Sequence, residues 1–220
     1  MKDGQHIVLL RHGHAKKNEE RRHGGAGSPL VELGRVQCQK LLATRRDLSR
    51  YFQSIIIAPR PQCRDTGTLL AQHLGLPLRE AALLEPVFLG VVDGLSEVEA
   101  VTRYPDYASL LARWRAGKCE VCDLNIPGME RPDVFYTRGQ RFLTECVQLG
   151  ESSIVVGTRS VLVLLASVLL GRTPVIGGGY REIPWPCGEY AWFTMTHGVA
   201  ELDSERSSVC LVYGDERDTD

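Results

Sequence analysis

Near the start of the chain the apolar run Ile7-Val8-Leu9-Leu10 leads straight into Arg11-His12-Gly13. An imidazole beside a guanidinium pairs a nucleophile or base with a clamp for anionic oxygen. The tripeptide alone is a weak signal, and its position strengthens it. A short apolar run that stops at a glycine reads as a buried strand ending in a sharp turn. In α/β sheets, ligands bind at the carboxyl ends of such strands. A basic cluster follows, Lys16, Lys17, Arg21 and Arg22 with His23 beside them, and is read as a solvated loop.

Other candidate sites are weaker. Cys119-Glu120-Val121-Cys122 is the only CxxC; no second CxxC or HxxxH offers further zinc ligands. It also follows a helical stretch, whereas a redox CxxC opens a helix, so neither metal nor redox use is expected. Gly177-Gly178-Gly179 could cradle phosphate through its N–H groups, but no helix signal follows closely and a flexible turn is expected. His14 is expected at the rim of the His12 site, and His73 and His197 are expected to be structural.

The elements that must position His12 follow from periodicity. Strand signals fall at 6–10, 54–58 and 153–156, and each is followed by a helical pattern, at 33–48, 64–74 and 161–170. Gly75 with Pro77 and Gly171 with Pro174 supply stop signals for the last two helices. Strands alternating with such helices predict an α/β fold, a three-layer sandwich whose mostly parallel central sheet is flanked by helices. Helix-like pieces at 97–103, 107–115 and 132–149 belong to a segment, 85–141, expected as a cap-like insertion over the active-site edge of a single domain, 1–220. The β-rich stretches 189–196 and 208–213 are expected to complete the sheet.

Composition narrows the function classes. A formal net charge of −1 argues against a general nucleic-acid binder. The longest apolar stretch, 161–170, is too short to span a membrane, and the N-terminal apolar run is too short and too soon interrupted at Arg11 for a signal peptide. Seven scattered cysteines, an odd number, fit a reducing cytoplasm better than a disulfide framework.

With Asn18 and the stretch Ser28-Pro29-Leu30…Leu33-Gly34 downstream, the chain resembles the histidine phosphatase superfamily, in its phosphoglycerate mutase-like branch. HIVLLRHGHA at 6–15 is similar to the family's opening strand and phosphate loop, and SPLVELGRVQC at 28–38 to the approach to its first helix. Leu84-Glu85, Gly90, Asp93-Gly94 and Arg103-Tyr104-Pro105 resemble a segment whose first glutamate donates a proton. Pro127-Gly128, Glu130 and Asp133 resemble a further motif. The resemblance implies a phosphomonoesterase-type hydrolase acting through a phosphohistidine at His12, with Glu85 as proton donor. It calls for no metal and no organic cofactor, and it implies a small phosphorylated or anionic substrate.

Two positions depart from the family pattern. Aligning on Pro59 and Thr66 puts Gln62 where the family has a second arginine, with Arg60 and Arg64 two residues to either side. Residues two apart on a helix point in different directions, so neither is an automatic substitute. Thr158 stands where a second histidine would donate to the transferring group, and it cannot carry charge. Arg159, next to it, either restores that charge or lies in solvent. The expected phosphate-binding set is therefore Arg11, Asn18, Gln62, Thr158 and Arg159. Three functions stay open: a phosphatase of reduced activity, a catalytically impaired phospho-ligand-binding protein, and a repurposed enzyme using His12 as a base on a non-phosphate substrate.

Overall fold

The computed structural model describes residues 4–171 and 183–211. The chain alternates strand and helix as β1 (Gln5–Arg11), α1 (Lys16–Glu19), α2 (Glu32–Thr44), α3 (Leu48–Tyr51), β2 (Ser54–Ile57), α4 (Pro61–Leu74) and β3 (Leu78–Glu80). Then come α5 (Glu97–Arg103), α6 (Pro105–Arg115), α7 (Pro132–Leu149), β4 (Ser153–Gly157), α8 (Arg159–Leu169), β5 (Tyr190–Thr196) and β6 (Val199–Asp203). The strands form one sheet in the order β3-β2-β4-β1-β5-β6. The first four are parallel, and β5 and β6 are antiparallel additions at one edge.

Ile7, Val8, Leu9 and Leu10 are all buried, as are Ile55 to Ile57 and Ile154 to Val156. Such continuous apolar runs are what parallel strands covered on both faces require. Ile57 stands opposite Val156 in register, so Gly157 faces the other side of the sheet. A Cβ on Gly67 of α4 would meet Ile57, and one on Gly157 would meet Leu162 of α8. Helices α4 and α8 thus cover opposite faces, with α2 packed beside α4 and α7 beside α8. This is the expected three-layer arrangement.

Three features differ from the sequence reading. The 33–48 helix is two helices, α2 and α3. The short, exposed edge strand β3 carried no recognisable pattern. The sixth strand is Val199–Asp203, and 208–211 is a loop instead. A two-residue turn decides this: His197 (φ 51°) and Gly198 (φ 81°) both adopt positive φ, which suits a tight hairpin. The Ser207 and Ser208 hydroxyls then accept from the N–H groups of Trp192 and Tyr190 at 2.9 and 2.8 Å. The glycine triplet 177–179 lies outside the described residues.

Candidate active site

Strands β1 and β4 lie side by side and parallel, with Arg11 opposite Gly157. Their carboxyl ends feed helices on opposite faces, α2 beyond β1 and α8 beyond β4, which opens a crevice at that edge. The His12 N–H donates to the Gly157 carbonyl at 3.2 Å, so His12 emerges beside Thr158. Gly13 is required here: a Cβ would stand 2.6 Å from the Gly34 carbonyl oxygen at the start of α2. The Gly13 N–H donates to Thr66 Oγ1 at 3.0 Å, which ties the loop to α4.

His12 is 2% exposed, and its Nδ1 lies 2.7 Å from the Gly13 carbonyl oxygen. A carbonyl can only accept, so Nδ1 carries the proton and Nε2 is left with a free lone pair. Burial, reinforced by the Arg11 charge, lowers the His12 pKa to about 3. The ring is therefore neutral at ordinary pH, the form in which an imidazole is a nucleophile.

A cavity of about 360 Å³ opens over this ring. Arg11, His12, Asn18, Thr158 and Arg159 all line it. Arg11 also donates to the Trp185 carbonyl, which fixes its fork. Asn18 Oδ1 accepts from the Ala15 N–H at 3.0 Å. Thr158 is the residue before α8, and Arg159 and Ser160 form that helix's first turn. The N–H groups of a helix start favour bound anions.

Gln62 is not among the lining residues. It is fully buried in the first turn of α4, and its Oε1 accepts from the Ser28 N–H at 3.1 Å. Glu85 is also outside the lining set, although Pro86 and Val87 belong to it. Glu85 follows a 3-10 turn, Ala82–Leu84, and pairs with Arg60, Nη2 to Oε2 at 2.6 Å. Arg64 points away and pairs with Glu80 on the surface at 2.6 Å. His14 is half-buried and does not line the cavity; its backbone N–H donates to Gln37 Oε1 at 2.8 Å. His73 is exposed on α4, and His197 is exposed in the hairpin turn.

The basic cluster departs from its reading as a solvated loop. Lys17, Arg21 and Arg22 line the cavity, joined by Arg115 from α6, while His23 is buried. Burial lowers the Lys17 ammonium to about 8 against the opposing pull of Asp93, with Arg60, Arg115 and Arg11 pushing the same way as burial. Glu97 lies between Arg21 and Arg115, 3.5 Å from each. Trp114, Val87 and Leu89 supply apolar wall. Nothing in the spacing of Arg115 marked it as a site residue; Lys17 had only its adjacency to Asn18. Among the described residues, no three His, Cys, Asp or Glu side chains gather as a metal site, and no helix is long and apolar enough to cross a membrane. Cys119 and Cys122 are free thiols whose pKa values burial raises.

A neutral, buried histidine under a cationic cavity, at the carboxyl edge of this sheet order, defines a class. The chain belongs to the histidine phosphatase superfamily (branch 1), whose sequence profile matches residues 7–203. It is 29% identical over 165 residues, 73% of its length, to a bifunctional protein of Mycobacterium tuberculosis and to an uncharacterized protein of Mycobacterium bovis. The match takes in 40% of each, so the chain spans about two fifths of the length of the curated relatives it matches. Among solved structures, Bacillus stearothermophilus YhfR superposes with a TM-score of 0.79 at 20% identity, covering 93% of this chain and 98% of that one. The alpha-ribazole phosphatase of Shigella flexneri gives 0.71 at 20% identity, with 90% and 94% covered. A mycobacterial glucosyl-3-phosphoglycerate phosphatase solved with VO3 gives 0.69 at 21% identity, with 90% and 97% covered. These three share the fold.

Proposed function

We propose that the protein is a phosphomonoesterase-type hydrolase acting through a phosphohistidine at His12. The observation that carries this reading is the neutral His12 ring, its Nε2 free, beneath a cavity lined by Arg11, Lys17, Arg115 and Arg159. Nε2 attacks phosphorus in line with the ester oxygen; the N–P bond forms as the P–O bond breaks. The Glu85 carboxyl gives its proton to the departing alkoxide, a poor leaving group otherwise. Water then attacks the phosphohistidine, Glu85 takes a proton from it, the P–N bond breaks, and orthophosphate leaves. Arg11, the Asn18 amide, the Thr158 hydroxyl and the α8 N–H groups hold the non-bridging oxygens as charge builds on them.

No step calls for a metal or an organic cofactor. The substrate is small and anionic, and the protein works in a reducing cytoplasm. Segment 85–141 serves as the cap of a single domain, lending Glu97, Trp114 and Arg115 to the cavity wall. Thr158 in place of a charged donor lowers the rate, on the scale of about 10²–10³ for one such donor. Trapping of phosphohistidine, by intact mass after mixing with p-nitrophenyl phosphate, tests the reading, with His12→Ala as control. No adduct and no turnover above that control would sink it. Thr158 also favours a second reading, a phospho-ligand-binding protein, which predicts vanadate binding without turnover.

A further inference from the structure

Arg138, on α7, makes a set of contacts that the proposed chemistry does not use. Its Nε donates to Glu130 Oε1 at 2.8 Å and its Nη2 to Glu130 Oε2 at 2.9 Å, a bidentate pair whose side chains are 16% and 18% exposed. The same guanidinium donates from Nη1 to the Leu83 carbonyl at 2.8 Å and from Nη2 to the Pro86 carbonyl at 3.2 Å. Those carbonyls bracket Glu85. Glu130 joins the same stretch from its own side: its N–H donates to the Phe88 carbonyl at 2.9 Å. The guanidinium plane also lies over the Phe135 ring, 4.6 Å from its centre.

The neighbour of Arg138 fixes α7 to the rest of the site. A Cβ on Gly139 would stand 2.7 Å from Leu164 Cδ2, so α7 and α8 touch closely there. The start of α8 carries Thr158 and Arg159 into the cavity. A continuous path of hydrogen bonds and packing therefore runs from the Glu85 turn through Arg138 to the helix that holds the phosphate end of the site.

We infer that Arg138, braced by Glu130, is a positioning residue that sets the Glu85 carboxyl against the leaving-group oxygen. The inference rests on Glu85 being the proton donor. Arginine suits the task because its planar fork reaches two carbonyls and a carboxylate at once, which a lysine ammonium cannot do with fixed angles. Removing it leaves both partly buried carbonyls without this donor and lets the turn relax. A misplacement of about 1 Å in a reacting group can lower a rate about 10²-fold.

The test uses leaving-group dependence, which mere loss of stability would not change. Phenyl phosphate needs protonation of its leaving oxygen far more than p-nitrophenyl phosphate does. In Arg138→Gln, kcat/KM for phenyl phosphate should fall about tenfold or more while that for p-nitrophenyl phosphate stays within about twofold. Glu85→Gln should show the same steepening, and the double variant should be no steeper than Glu85→Gln alone. Arg138→Lys and Glu130→Gln should steepen the dependence less, and they carry the test if Arg138→Gln does not fold. Equal losses on both esters in a folded variant, no loss, or additivity with Glu85→Gln would overturn the positioning role. If Glu85→Gln itself leaves the dependence unchanged, the proton-donor reading fails and the positioning role falls with it. A parent without turnover on either ester would overturn both.

Discussion

Arg60 Nη2 lies 2.6 Å from Glu85 Oε2, joining the residue that precedes α4 to the turn that carries the expected proton donor. The pair is partly open, 26% and 38% exposed, so an incoming phosphate can compete with the carboxylate for the guanidinium. Gln62, which the sequence reading sets at the family's arginine position, is sealed inside α4's first turn, while Arg60 leaves an extended backbone (φ −128°, ψ 142°) before Pro61. An arginine two residues early therefore meets Glu85 because it precedes the helix instead of riding on it.

Arg60→Ala should raise KM for p-nitrophenyl phosphate about tenfold, the size of a lost charge-assisted contact. Arg60→Lys should recover part of this. Arg64→Ala, which breaks only the surface pair with Glu80, should stay within about twofold by the same steady-state assay. Identical behaviour of Arg60→Ala and Arg64→Ala would remove Arg60 from the site.

Thr158→His should increase turnover about tenfold or more by adding a charged donor beside His12. The cavity of about 360 Å³ that Thr158 lines leaves room for the larger ring. Single-turnover rates would show the gain directly. An unchanged or slower rate would mean that the threonine hydroxyl and the α8 N–H groups already suffice.

His12 links stability to pH. Its folded pKa, about 3, lies below the ordinary unfolded value near 6.5, so between these limits the unfolded chain binds more protons than the folded one. Stability must then fall as pH drops through that window and be independent of this group above it, with a slope of up to about 1.4 kcal/mol per pH unit. His23, lowered to about 4 by burial, acts in the same direction. Urea denaturation at pH 7 and pH 5 should show a smaller stability loss in His12→Gln than in the parent; an equal loss would mean the ring is protonated in the folded state.

Lys17 should make anion binding sensitive to mild alkali. Its ammonium, lowered to about 8, loses charge as pH rises through that value. Vanadate affinity measured by calorimetry should weaken between about pH 7 and 9 in the parent and much less in Lys17→Arg, whose charge persists. A parent profile flat over that range would show that Lys17 does not contribute to the bound anion's field.

Much of this was legible in local sequence. Gly75, in the left-handed region at φ 67°, ends α4 where the glycine stop signal stood, and its N–H closes on the Ala71 carbonyl. The helix-like piece at 97–103 is α5, and Ser96 and Glu99 cap its start reciprocally at 3.2 and 2.8 Å, a box that the sequence reading did not single out. The buried β1 run and its glycine turn placed His12 at a strand end. Each is a relation between residues within a few positions of one another, for which the backbone's own geometry is sufficient cause.

The amino-acid sequence by itself determined the alternation of strand and helix, the turn after β1, and the identity of the histidine at its tip. Only the tertiary structure decided which charges meet that histidine. Lys17 from α1 and Arg115 from α6 line the same cavity as His12, and Arg60, just before α4, pairs with Glu85, although the chain separates each of these partners widely. Gln62 is excluded by the packing of a single helical turn. Periodicity is a local property that neighbouring side chains enforce, whereas convergence of charge depends on strand order and helix faces, which no short stretch of the chain specifies alone.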